Sequence, residues 1–149
     1  MKEFIYKLSD TDFDETEIPI VALDEMTAYK VKKYFKLIET GNIHSQITLD
    51  ASDIRQFLYG KGKGYAVCRS VKIQFLPVMA KILLNKLQAA RAKNVTDVLI
   101  IVVGKVGPLE LFEVISIVQE RIGDEHNVIF CVHDEEQKDN IIEIMMITV

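Results

Sequence analysis

The sequence predicts an α/β domain of the α+β two-layer kind: a mixed four-stranded sheet with two packed helices, preceded by a linking helix. Three observations predict it. Val98 to Val103 is an unbroken aliphatic run dominated by β-branched residues, suited to a strand buried on both faces. Two stretches with apolar residues at helical spacing flank that run, and each opens on a proline, Pro77 and Pro108, which the first turn of a helix accepts. The last two apolar segments, 127–133 and 141–149, are separated by a short polar connection that suits an antiparallel hairpin, so the sheet reads as mixed.

Composition bounds the rest. A chain of 149 residues is long enough for one core without disulfides or metals. Hydrophobic residues at 49% and charged residues at 27% describe a globular chain rather than a disordered one. The net charge of -4 argues against nucleic acid, which needs a basic face. No apolar run approaches the ~20 residues of a membrane span, and Met1-Lys-Glu-Phe4 is not followed by the apolar core of a signal peptide. Cys68 and Cys131 lack metal or redox spacing and fit a reduced, cytoplasmic chain.

Taken in order, residues 1–23 read as an N-terminal arm and 24–149 as the domain proper. Within the arm, Phe4 to Leu8 suits a short strand running into the acidic residues Asp10, Asp12, Asp14, Glu15 and Glu17, a solvated loop or ordered arm in preference to an interaction tail. The linking helix spans about 24–41, with Asp24 as N-cap and Gly41 as left-handed C-terminal cap. Its apolar face is Thr27, Val31, Tyr34, Phe35 and Ile38, and Lys30, Lys33 and Lys36 form a solvated face. Gln46 to Asp50 is extended, and Ala51 to Tyr59 is a short helix capped by Asp50, with Asp53 at its third position near the positive end of the helix dipole. Gly60 to Gly64 closes that helix, and Tyr65 to Ile73 is a strand. The helix begun by Pro77 carries Met79, Ile82, Leu83, Leu87 and Ala90 and ends near Lys93-Asn94. The one begun by Pro108 carries Leu111, Val114, Ile115, Val118 and Ile122 and stops at Gly123. Met145 and Met146 fill core or edge positions of the final strand.

From about Ile38 onward the chain resembles the C-terminal domain of FtsZ, in the tubulin/FtsZ family, without the N-terminal GTPase domain. Val98 to Gly104 followed by Leu109-Glu-Leu-Phe-Glu-Val114 is similar to the family's strand ending in glycine and its Leu-x-Leu-Phe-Glu-Val helix start. Asn127 to Phe130 with Val132 to Glu136 resembles the next strand and its acidic turn, and Gly64-x-Ala66 falls where the family has Gly-x-Ala. Leu37 to Ile43 resembles the end of the helix that links the family's two domains. The resemblance places Asp50 and Asp53 on the acidic positions of the family's synergy loop, Asn-x-Asp-x-x-Asp, with Thr48 in place of the asparagine and Ser52 between the acids. In FtsZ filaments those acids reach the nucleotide pocket of the adjacent subunit and help polarise the water that attacks the γ-phosphate, a role a carboxylate held at a helix start can fill. Helix capping alone also explains both residues.

The resemblance further implies a phosphate-cradling Gly-Gly-Gly-Thr-Gly-Thr-Gly loop ahead of the linking helix, yet residues 1–23 contain no glycine. Gly60 to Gly64 is no substitute, lacking the Gly-Lys-Ser/Thr ending of a Walker loop. Cys131 and His133 share a strand face, but with His44 and His126 in loops they suggest no ligand set. The expectation is therefore a stand-alone interaction module with no catalytic residue, cofactor or metal of its own. Thr48, Asp50, Ser52 and Asp53 would form its partner interface, and the partner would be a full-length FtsZ/tubulin-type GTPase that it caps or regulates in cell division. Met1 and the divergent arm point to a complete chain. The alternatives are a self-associating scaffold, a homo-oligomer built through the sheet edge or linking helix, and a small-molecule enzyme, since folds of this class host unrelated catalysts.

Overall fold

The computed structural model describes residues 1–10, 13–43, 47–138 and 140–149. Asp12 of the acidic stretch, His44 and Gln46 lie outside them. The elements are β1 (Lys2–Asp10), β2 (Phe13–Ala22), α1 (Glu25–Glu39), α2 (Ala51–Leu58), β3 (Gly64–Lys72), α3 (Leu76–Arg91), β4 (Val98–Val103), α4 (Pro108–Ile122), β5 (Val128–His133) and β6 (Ile141–Thr148). The strands form one six-stranded sheet in the order β1-β2-β3-β6-β4-β5.

Two expectations need correction. The sheet has six strands rather than four, because the N-terminal stretch folds into the β1–β2 hairpin and β2 continues the sheet through a parallel pairing with β3, Ile20 opposite Gly64 and Ala22 opposite Ala66. The final two strands are not a hairpin. β5 pairs parallel with β4, whereas β6 crosses over to lie antiparallel between β3 and β4. The reason is burial: β6 carries apolar side chains on both faces, and only a central position covers both.

Burial on both faces organises the molecule. Every side chain of β4 is buried. Its odd residues Leu99, Ile101 and Val103 join Met145 and Ile147 of β6 in one core, and its even residues Val98, Ile100 and Val102 join Ile144 and Met146 in the other. α3 and α4 are the two packed helices expected from sequence, and they close the even face through Leu83, Leu87, Val114 and Val118. The linking helix α1 and the short α2 close the odd face through Val31, Phe35, Ile54 and Leu58. All five apolar positions read on α1 are buried.

Local geometry follows from side-chain chemistry. Asp24 caps α1, its Oδ1 accepting from the Thr27 N–H at 2.8 Å, and its Oδ2 lies 2.7 Å from the Arg69 guanidinium. Burial pushes the Asp24 carboxyl up, but the Thr27 hydrogen bonds and Arg69 outweigh it and hold the group below its usual range. Where β2 ends beside β3, the Cys68 N–H donates to Thr27 Oγ1 at 3.1 Å, so the start of α1 continues the satisfaction of the β3 backbone. Gly104 ends β4 at φ +124, and a Cβ there would lie 2.9 Å from Ile142 Cγ2.

Two consequences are measurable. Gly104→Ala combines a disfavoured backbone with an overlap against a buried strand, and should cost about 2 kcal/mol, or ~6 °C in Tm, by thermal melting. Asp24 has a lowered carboxyl, so its contribution is fully present above the unfolded value near ~3.9 and disappears as pH falls through the lower folded value. Asp24→Ala should therefore lower stability by ~1 kcal/mol at neutral pH, and in urea titrations the gap from the parent protein should close in acid.

Candidate functional site

The start of α2 is built by a reciprocal pair. Asp50 has an extended backbone, φ -114 and ψ 178, which lets its side chain turn back over the first helical turn. Asp50 Oδ1 accepts from the Asp53 N–H at 2.9 Å, and Asp53 Oδ2 accepts from the Asp50 N–H at 2.9 Å. The two carboxylates thus satisfy two backbone donors that the helix start leaves over, a capping box made with aspartate on both sides. Each bond engages one oxygen of its carboxylate, so each acid retains a second oxygen as acceptor. Asp50 and Thr48 are exposed, and Ser52 and Asp53 are half-buried. Ile54, Phe57 and Leu58 anchor the helix in the odd-face core, which presents the capped end outward.

The approach to α2 is tied to the sheet. The Val132 N–H of edge strand β5 donates to the Ile47 carbonyl at 3.1 Å. This contact sets Ile47 at the mouth of a groove of 710 Å³, lined by Gly104 to Pro108, Leu111, Phe112, Phe130, Val132 and Asp134. The groove opens where the parallel strands β4 and β5 reach their C-terminal ends, the side of an α/β sheet on which ligands commonly bind. Its lining is mostly apolar, with Lys105 and Asp134 contributing charge. On and beside it large apolar side chains face solvent: Leu109 is 82% exposed and Phe112 63%. Sequence reasoning singled out neither as functional, although both lie off the buried stripe Leu111, Val114, Val118 and Ile122, and that offset was a readable signal.

Elsewhere chemistry-bearing side chains have structural partners. Cys131 and His133 are buried on the odd face, and burial pushes the Cys131 thiol up to about 12, which keeps it protonated and unreactive. His133 Nε2 lies 3.7 Å from Glu135, and His126 Nδ1 lies 3.5 Å from Asp97. No group of three or more His, Cys, Asp or Glu suited to a metal occurs among the described residues. In the glycine loop, Lys61 pairs with Asp97 at 3.7 Å and Lys63 with Glu3 at 3.1 Å, so both lysines brace the loop. The linking-helix lysines are not a uniformly solvated face. Lys30 pairs with the buried Glu143 at 3.1 Å, and Lys33 with Glu135 at 3.3 Å. No helix is long and apolar enough to cross a membrane among the described residues.

The capping role is testable by itself. Asp50→Ala removes one half of the box and should cost ~1 kcal/mol, with Asp50→Asn recovering most of it in the same thermal melts, because an amide oxygen also accepts from Asp53 N–H.

No family model and no curated protein sequence matches this chain. Solved structures do. The FtsZ W319Y mutant of M. jannaschii superposes with a TM-score of 0.64 at 18% identity, over 80% of this chain and 36% of that one. An empty FtsZ dimer from M. jannaschii gives 0.59 at 16% identity, over 85% of this chain and 40% of that one. At such identities the likeness is one of fold, and the chain spans little more than a third of the FtsZ chains it matches. The fold is that of part of FtsZ, as the sequence resemblance implied.

Proposed function

We propose that this chain is an association module that docks on the nucleotide-bearing face of a full-length FtsZ/tubulin-type GTPase and caps its filament, binding no GTP itself. The observation that carries the reading is the juxtaposition at one end of the domain. Thr48, Asp50, Ser52 and Asp53 follow in sequence directly after Ile47, which lines an apolar groove, and Phe112 of the same lining and its near neighbour Leu109 stand exposed. Exposed aromatic and aliphatic area next to fixed charge is the usual composition of a protein interface. By the FtsZ resemblance this would be the acid-bearing face, and these 149 residues contain no glycine-rich phosphate loop that would offer a next subunit a pocket. A subunit that joins on one face and offers nothing on the other ends the filament. Asp50 and Asp53 would then act on the partner's γ-phosphate or serve only to fix the docking end.

The test is titration of the purified protein into an assembling FtsZ-type GTPase from the same organism, following pelleted polymer and GTP turnover. Both should fall as the module occupies filament ends. Phe112→Glu should weaken the effect by ~10-fold or more, the scale of an interface hot spot, with an unchanged Tm because the side chain is already exposed. No change in pelleting or turnover at several-fold excess of the parent protein overturns the proposal.

A further inference from the structure

The two edges of the sheet are finished differently. On β5 the entry to α2 is laid against the strand, with Ile47 accepting from Val132. On β1 the Ser9 N–H, near the end of the strand, donates to Glu39 Oε1 of α1 at 2.9 Å. Ser9 itself sits in the register shift between Leu8 and Asp10, so the parity of β1 is read from its partner β2. Pro19, which has no N–H, stands opposite Ile5, and Leu23, four residues on and of the same parity, donates to Ala66 of β3. Even residues of β1 therefore bond to β2, and the odd residues Glu3, Ile5 and Lys7 turn their backbone groups outward. The side chains of these three residues are also exposed, Ile5 at 53%.

We propose that β1 is a homodimer edge: two copies pair antiparallel through β1 about a two-fold axis at Ile5, making one continuous sheet. Charge complementarity selects a second copy of this chain as the occupant. Centred on Ile5, the antiparallel register sets Glu3 of each copy opposite Lys7 of the other, with Ile5 against Ile5 between the two ion pairs. The same register opposes Phe4 and Tyr6 across the inner face, extending the apolar side of the hairpin. All three outward residues fall in hydrogen-bonded pairs, so backbone parity and side-chain charge agree on one register. Isologous contacts require this self-complementarity. Edge charges ordinarily repel strand addition; here they do so against other registers and favour this one. Within each copy Glu3 also meets Lys63 at 3.1 Å, and Lys7 stands opposite Glu17.

Sedimentation or light scattering across a concentration series reads the proposal directly. The parent protein should dimerise, and Glu3→Lys or Lys7→Glu should weaken dimerisation by ~10-fold or more through two like-charge contacts. The double variant Glu3→Lys/Lys7→Glu should regain it. That recovery is diagnostic, because the repulsions each change introduces within a copy, toward Lys63 and Glu17, persist in the double variant. Ile5→Pro deletes an outward N–H without touching the β2 ladder, and should give a monomer with Tm close to the parent's. A monomeric parent at all concentrations overturns the proposal, as does a dimer that survives Ile5→Pro or fails to recover in the double variant. The outcome is independent of docking on a GTPase: a dimer without effect on filaments sinks only the capping reading, and a monomer that caps sinks only this one.

Discussion

The structure depends on one constraint, the burial of β4 and β6 on both faces. A strand with apolar side chains above and below the sheet cannot lie at an edge or face water, so β4 and β6 must be central and each face must carry its own helical layer. α3 and α4 cover the even face and α1 and α2 the odd one. The remaining strands then take the outer places, with short, half-buried β5 on one side and the hairpin on the other. The β5-side groove and the β1 edge are consequences of this arrangement, since β5 and β1 are where the sheet ends.

Within that frame one buried acid sets the placement of α1. Glu143 interrupts the apolar run of β6 and is buried on the odd face. Two residues one helical turn apart on α1 converge on it: the Tyr34 hydroxyl donates to one carboxylate oxygen and the Lys30 ammonium lies 3.1 Å from the other. Burial together with the neighbouring carboxylate pushes the Tyr34 phenol far up, so it remains a donor at any ordinary pH. A buried carboxylate left without such partners is costly, whereas apolar packing alone would tolerate small rotations of a helix. The contact therefore specifies which face of α1 meets the sheet. With that face set, Phe35 stacks edge-on against Tyr6 at 5.1 Å and Glu39 reaches the Ser9 N–H, which ties the hairpin to the helix.

What was legible in the sequence was what local patterns determine. The buried face of α1, the capping box at Asp50 and Asp53, and the wholly buried β4 each follow from spacing within one element. The resemblance carried the fold further than periodicity did. Sheet order was not legible, because the connection after β5 is long enough either to turn back as a hairpin or to step over β4, and only the two-faced burial of β6 decides between them. The hairpin was hidden for a different reason. Its inward residues Tyr6, Leu8, Ile18 and Ile20 alternate properly, but the acidic residues argued for a loop; Pro19 within β2 is tolerated because it stands where β1 needs no donor from it. At the candidate site, the acids were found through the family pattern, and the groove that Ile47 lines was not, since Ile47, Phe112 and Phe130 come together only through the fold.

Placing the two association surfaces at different sheet edges has a physical implication. In the strand order β1 and β5 are the outermost members, so a dimer joined through β1 keeps both β5-side grooves open. Such a dimer would carry two acid-bearing ends held by a continuous sheet rather than by a flexible linker. A rigid spacer gives high effective concentration only for partner sites at matching separation and none for others. A pair of modules built this way would therefore discriminate by geometry, engaging two filament ends at one fixed spacing and orientation and gaining no avidity from ends that diffuse independently.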